Sequence, residues 1–186
     1  MSFRSFVFSA LLALGAAVPV RAAVPAVGEP APEFALATLD GRQVALRGAR
    51  AGGPVVLVVL RGFPGYQCPL CTRQVNEFAG RAADFAAKGA KVVMVYPGPA
   101  AALQARAKEF LADKQWPAGW ELILDPDYAF TSAYGLRWDA PKETAYPSTF
   151  IVGRDGTVRY AVVSKTHGGR TKVADVLAAL PAAAKP

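Results

Sequence analysis

Residues 55–71 read Val55-Val56-Leu57-Val58-Val59-Leu60-Arg61-Gly62-Phe63-Pro64-Gly65-Tyr66-Gln67-Cys68-Pro69-Leu70-Cys71. The stretch opens with an unbroken apolar run rich in β-branched valine. A strand that is apolar on both faces belongs in the middle of a sheet covered on both sides. Arg61 to Gln67 is rich in turn residues, and the segment closes on the only two cysteines of the 186-residue chain. A disulfide across so short a loop removes little unfolded-chain entropy, so it is a poor staple. The useful property of the pair is that it can open and close.

From Pro69 the pattern turns helical, with Val75, Phe78, Ala82 and Phe85 at spacings of three and four up to Gly89. Cys68 then falls at the helix N-cap, and Pro69 suits the first helical position because it has no amide hydrogen to waste. The free amide hydrogens of the first turn and the positive end of the helix dipole favour a thiolate at Cys68. Cys71, one turn on, is placed to attack a mixed disulfide on Cys68. A structural zinc would need two or more further ligands, and the chain offers one histidine and no other cysteine. An inert disulfide is the bland alternative to a redox-active pair.

Outward from this centre, Phe34–Thr38 and Gln43–Leu46 flank Asp40-Gly41 as a hairpin. Lys91–Tyr96 reads as a second buried strand and Ala100–Lys114 as a second helix. Glu121–Leu124 is a short strand and Tyr128–Tyr134 a short helix stopped by Gly135. Phe150-Ile151-Val152 and Val158–Val163 pair around Asp155-Gly156, and Val173–Leu180 is a closing amphipathic helix. The order is an α/β chain, a central mixed β-sheet flanked by helices with an N-terminal β-hairpin. The cysteines sit where the first central strand meets its helix, which is where open α/β sheets place their sites.

The composition, 53% hydrophobic and 19% charged, supports a packed core. The formal net charge of +7 comes from scattered residues with no basic stripe, so no nucleic-acid partner is expected. At the N-terminus, Arg4 precedes an apolar run from Phe6 to Val20, and Ala22 follows as the last residue before a cut. Residues 1–22 therefore read as a secretory signal peptide, and residues 23–186 as a single domain. Cleavage would remove Arg4 and Arg21 and lower the net charge from +7 to +5. The expected product is exported, periplasmic if the source is Gram-negative, with no stable membrane insertion after cleavage. In an oxidising compartment a cysteine pair forms a disulfide by default.

At these residues the chain resembles the thioredoxin-like superfamily, in its redoxin and peroxiredoxin-like branch of alkyl hydroperoxide reductase and thiol-specific antioxidant type. The resemblance covers roughly Gly28 to Leu180. It rests on the opening Gly28-Glu29-Pro30-Ala31-Pro32-Glu33-Phe34 with Leu39-Asp40-Gly41, on the cysteine pair, and on Pro147-Ser148-Thr149-Phe150-Ile151-Val152 with Asp155-Gly156. It implies a thioredoxin-like fold and a thiol–disulfide oxidoreductase or antioxidant enzyme. Its partner would be a protein dithiol or disulfide, or a peroxide, and no organic cofactor is implied. It also implies that Pro147 is a cis proline facing the cysteines, leaving the backbone of Tyr146 open for strand-like pairing with a substrate chain.

Two registers compete on the same residues. In thioredoxin-type enzymes the first cysteine, Cys68, is the nucleophile. In peroxiredoxins a proline precedes a Thr or Ser by four residues and the peroxidatic cysteine by seven, and Pro64 stands seven before Cys71 with Cys68 at the Thr position. The arginine that peroxiredoxins carry near the second landmark is replaced by Pro147, and Arg61 is the candidate substitute. Tyr66, with Pro64, Arg61, Tyr146 and Pro147, completes the expected substrate face. Thioredoxin's buried aspartate has no equivalent in Val55–Leu60, and Leu70 cannot hydrogen-bond a thiolate, so a middling redox potential is expected. The lone histidine, His167, raises a second alternative, a copper-binding assembly factor with two cysteines and a distant histidine. The cysteine spacing of that group is three, not two.

Overall fold

The computed structural model describes residues 22–181. The expected signal peptide lies, apart from Ala22, outside the described residues. Strands β1 (Ala35–Ala37) and β2 (Gln43–Ala45) form the N-terminal antiparallel hairpin, with Leu36 opposite Val44. Gly41, at φ +82, supplies the left-handed turn residue that a side chain would strain. Leu46, read from sequence as the end of β2, instead starts the short helix α1 (Leu46–Ala49).

The main sheet contains β3 (Val55–Val59), β4 (Lys91–Gly98), β5 (Glu121–Pro126), β6 (Ser148–Val152) and β7 (Val158–Val163). Their spatial order is β5-β4-β3-β6-β7. Strands β3, β4 and β5 run parallel, while β6 is antiparallel to both β3 and β7. Strand β3 is central and wholly buried, as its two-sided apolar run requires. Period-two alternation divides its side chains between two cores. Val56, Val58 and Leu60 pack with side chains from α2 (Pro69–Ala79), α3 (Ala82–Ala87), α4 (Ala100–Leu111) and α6 (Val173–Ala179). Val55, Leu57 and Val59 pack with the hairpin, α1 and α5 (Ala129–Ala133).

The periodicity from Val75 to Phe85 predicts one helix, but the structure contains two. Gly80 and Arg81 interrupt it, Arg81 taking φ −116 and ψ 20. Glycine is a weak helix former, and the Arg81 guanidinium pairs with Asp84 at the start of α3. The break leaves Phe85 buried and stacked on Phe78, ring centroids 5.6 Å apart. Gly89, at φ +63, ends the second helix as a left-handed cap residue.

Pro147 is a correction, because no peptide bond among the described residues is cis. An X–Pro bond favours trans by roughly 0.5–1 kcal/mol unless contacts demand otherwise. Here the trans arrangement is fixed on both sides: the Tyr146 carbonyl accepts from Ser148 Oγ at 2.8 Å, and the Pro147 carbonyl accepts from Ser164 N at 2.9 Å.

Candidate functional site

The cysteine pair sits at the carboxyl edge of β3. Leu60 continues the strand by donating its N–H to Val95 O, and Gly62 then turns the chain at φ +70. A Cβ on Gly62 would lie 1.9 Å from the Pro97 carbonyl oxygen, so only glycine lets the cysteine loop pass this close to β4. Gln67, just ahead of Cys68, is tied down at both ends of its amide. Its oxygen accepts from Tyr96 Oη at 2.9 Å, and its nitrogen donates to Arg106 O at 2.9 Å.

Cys68 is the N-cap of α2, and its Sγ accepts the Cys71 N–H at 3.3 Å. Pro69 occupies the first helical position. Both cysteines are free thiols, Cys68 2% exposed and Cys71 fully buried. Cys71 Sγ accepts the backbone N–H of Arg61 at 3.3 Å. The Arg170 guanidinium reaches both sulfurs, with Nη2 3.7 Å from Cys68 Sγ and 3.3 Å from Cys71 Sγ. It is aimed by Gln74 Oε1, which accepts from Nη1 at 2.6 Å, and by the His167 carbonyl, which accepts from Nε at 3.1 Å.

These contacts separate the two thiols. The hydrogen bond from the Cys71 thiol pushes the Cys68 pKa well down, and the Cys71 amide and the positive charges of Arg170 and Arg61 act in the same direction against burial. Burial pushes Cys71 well up, and its hydrogen bond to Cys68 adds to the rise. The contacts thus favour the thiolate at Cys68 and the protonated thiol at Cys71.

Arg61 is not a solvated strand end. Its side chain is 3% exposed and donates to Glu143 Oε2 at 2.8 Å, Tyr66 Oη at 2.6 Å and the Lys142 carbonyl at 2.8 Å. It works as a strut between the cysteine loop and residues 142–144. Tyr66 is half exposed at the end of that strut. Pro64 lines a neighbouring cleft of about 370 Å³ together with Phe63, Arg106 and Tyr128.

Tyr146 corrects a second expectation. Its N–H donates to Leu136 O at 2.9 Å and its carbonyl is taken by Ser148, so its backbone is not open for strand pairing. Its ring is stacked on Trp138 at 4.7 Å, with the Lys165 ammonium 5.0 Å from its centroid.

His167 Nε2 lies 2.8 Å from Glu143 Oε1, and its ring is tilted on Trp138. Burial opposes charge on Glu143, but hydrogen bonds from Arg61 and His167 hold its carboxyl below the usual range. An ionised carboxylate only accepts, so the facing His167 nitrogen carries the proton. Among the described residues no group of three or more His, Cys, Asp and Glu side chains is placed to hold a metal ion.

Arg170, Gln74 and Glu143 escape the sequence reading. A signal for Arg170 exists in the topology. Strand β7 runs in the same direction as β3, so the residues after β7 arrive at the same edge as the cysteines.

The AhpC/TSA family model matches residues 27–161. Peroxiredoxin Q, chloroplastic, of Oryza sativa subsp. japonica is 28% identical over 172 residues, covering 86% of this chain and 75% of that protein. Peroxidoxin BcpB from Mycobacterium tuberculosis superposes with a TM-score of 0.68 at 22% identity, over 84% of this chain and 96% of that one, which speaks to the fold. A crystal structure from Chlorobium tepidum, named as a "putative Thiol:disulfide interchange protein DsbE", superposes with a TM-score of 0.62 at 27% identity, over 84% and 99% of the two chains. The matched region runs from the lead-in to β1 as far as β7, so it takes in the central sheet and both cysteines, and the chain belongs to the AhpC/TSA family.

Proposed function

We propose that this redoxin is a thiol–disulfide oxidoreductase in which Cys68 attacks and Cys71 resolves. The observation that carries the reading is the asymmetry of the pair: Cys68 Sγ caps α2 and accepts the Cys71 N–H, while Cys71 is fully buried and kept protonated. The Cys68 thiolate attacks one sulfur of a partner disulfide, that S–S bond breaks, and the departing sulfur takes a proton from solvent. Cys71 then loses its proton, attacks Cys68 Sγ and frees the second partner thiol. The protein ends as the Cys68–Cys71 disulfide and the partner as two thiols. Export by residues 1–22 belongs to the same proposal, since an exported cysteine pair needs a redox partner outside the cytosol.

A second reading is supported by the match to peroxiredoxin Q and by the spacing of Pro64 to Cys71: a thiol peroxidase led by Cys71. The raised pKa of Cys71 counts against it, because peroxide reacts with a thiolate.

One experiment separates them. Pre-reduced Cys71→Ser and Cys68→Ser proteins are each mixed with a disulfide-bonded protein and, separately, with stoichiometric hydrogen peroxide. Exchange led by Cys68 traps a mixed disulfide on Cys71→Ser and none on Cys68→Ser. A fast sulfenate on Cys71 of Cys68→Ser, with no trapped mixed disulfide, would overturn this assignment in favour of the peroxidase.

A further inference from the structure

Beside the sulfurs lies a cleft of about 330 Å³ that none of the steps above uses. One wall is the outer side of α2, with Leu70, Arg73, Gln74 and Glu77. The other is the segment after β7, with Gly168 to Lys172. Two of its lining residues tie it to the chemistry. Leu70 stands between the two cysteines in sequence, and Arg170 holds both sulfurs through Nη2. The cleft is therefore joined to the attacking sulfur through the Arg170 guanidinium, which lines the one and lies 3.7 Å from the other.

The charge of the lining is lopsided. Arg73, Arg170 and Lys172 are cationic, against the single carboxylate of Glu77. Arg170 is committed to the sulfurs and to Gln74. Arg73 and Lys172 are exposed, and their side chains make no hydrogen bond or ion pair within the described residues. Arg73 and Glu77 are spaced to pair along one helix face, yet no ion pair forms between them. The cleft thus offers unengaged positive groups and one unengaged carboxylate, at the scale of a few amino acids. A lone guanidinium or ammonium on a surface is ordinarily solvated. Two of them on opposite walls of a cleft whose lining includes the guanidinium beside the sulfurs form a selective filter for charge.

We propose that this cleft is a substrate subsite, and that it selects small peptide disulfides bearing free carboxylates, Arg73 and Lys172 receiving the carboxylates and Glu77 an amino group. The inference rests on the Cys68-led exchange proposed above. In the exchange, Cys68 Sγ bonds to the ligand sulfur nearer the cleft and the ligand S–S bond breaks. The distal half leaves as a thiolate and takes a proton from solvent. The half joined to Cys68 stays in the cleft until Cys71 displaces it. Two electrons pass from the protein dithiol to the ligand disulfide, so a single turnover of pre-reduced protein needs no other reductant.

The test uses three probe disulfides that differ mainly in charge: glutathione disulfide, bis(2-hydroxyethyl) disulfide and cystamine. Single-turnover rate constants are measured for the pre-reduced protein and for Arg73→Glu, Lys172→Glu and the double variant. The expected order is anionic over neutral over cationic. The ratio of glutathione disulfide to cystamine should fall by about tenfold in the double variant, and should shrink with added salt in the unmodified protein. Rescue by Arg73→Lys, against loss in Arg73→Glu, assigns the effect to charge rather than to α2 packing. Equal ratios in all variants, with the neutral disulfide still reduced, would overturn the subsite and leave the oxidoreductase reading standing. No reduction of any of the three probes would remove the oxidoreductase reading on which the subsite rests.

Discussion

At Cys68, reactivity is set first by Cys71 within the motif and then by two cations outside it, Arg170 and Arg61. Leu70 gives a thiolate no hydrogen bond, and from the motif a middling redox potential follows. Arg170 changes that argument, because its cation stabilises the thiolate, a species that exists only in the reduced form. Stabilising the reduced form makes the pair a stronger oxidant. Alkylation of Cys68 in the unmodified protein should therefore titrate with a midpoint of about 5. Arg170→Gln should raise that midpoint by about one unit or more and lower the potential by about 30 mV, with Arg170→Lys in between. An unchanged midpoint, read by mass spectrometry of alkylated protein, would show that Arg170 is not coupled to the thiolate. The role of Cys68 was legible in the sequence because capping is local: a residue followed by proline at the start of an amphipathic run is an N-cap. Arg170, 102 residues away, and the strut formed by Arg61 and Glu143, 82 apart, were not, since single-chain periodicity carries no record of which loops meet.

Among the elements, β3, β4, β6 and β7 were readable because each holds a β-branched or aromatic run bounded by turn residues, and β5 because Leu122-Ile123-Leu124 stops at Asp125-Pro126. The helix after Cys71 was readable in its apolar positions but not in its continuity. Periodicity reports which side chains are buried, and Phe85 stays buried whether or not the axis bends at Gly80. That makes Phe85 the anchor of α3, stacked on Phe78 and edge-on to Trp120 at 5.8 Å. Phe85→Ala should cost about 3–5 kcal/mol in urea unfolding, whereas Ala83→Ser on the exposed side should change stability by about 0.5 kcal/mol or less. Near-equal midpoints for the two would mean that α3 is not held by this contact. Pro147 was misread for a different reason. A family landmark predicts a bond geometry, but here Ser148 and Ser164 take the flanking carbonyls and keep the trans form. The Ser148 contact has a measurable worth: Ser148→Ala removes the donor to Tyr146 O, and should cost about 1 kcal/mol in urea unfolding with little change in the alkylation midpoint of Cys68.

For the whole molecule, the two thiols link stability to pH in opposite senses. The folded Cys68 pKa lies below its ordinary value near 9, so the stabilisation it gives the reduced protein is complete above that value and is lost as pH falls towards about 5. The folded Cys71 pKa lies above its ordinary value, so its share is complete below pH 9 and is lost as pH rises further. The unfolding free energy of the reduced protein, minus that of a Cys68→Ala/Cys71→Ala variant, should climb from pH 5 to about 9 and then decline. A flat difference across that range would contradict the split between the sulfurs. The Arg170 contact also ties the reactivity of Cys68 to the C-terminal part of the fold. The cation beside Cys68 lies in the segment between β7 and α6, 102 residues beyond the cysteine in sequence. Without that segment Cys68 would keep the Cys71 contacts that lower its pKa but lose the nearby guanidinium, and its pKa would rise. A chain cut short before Arg170 would therefore carry the same cysteine motif with a smaller share of thiolate.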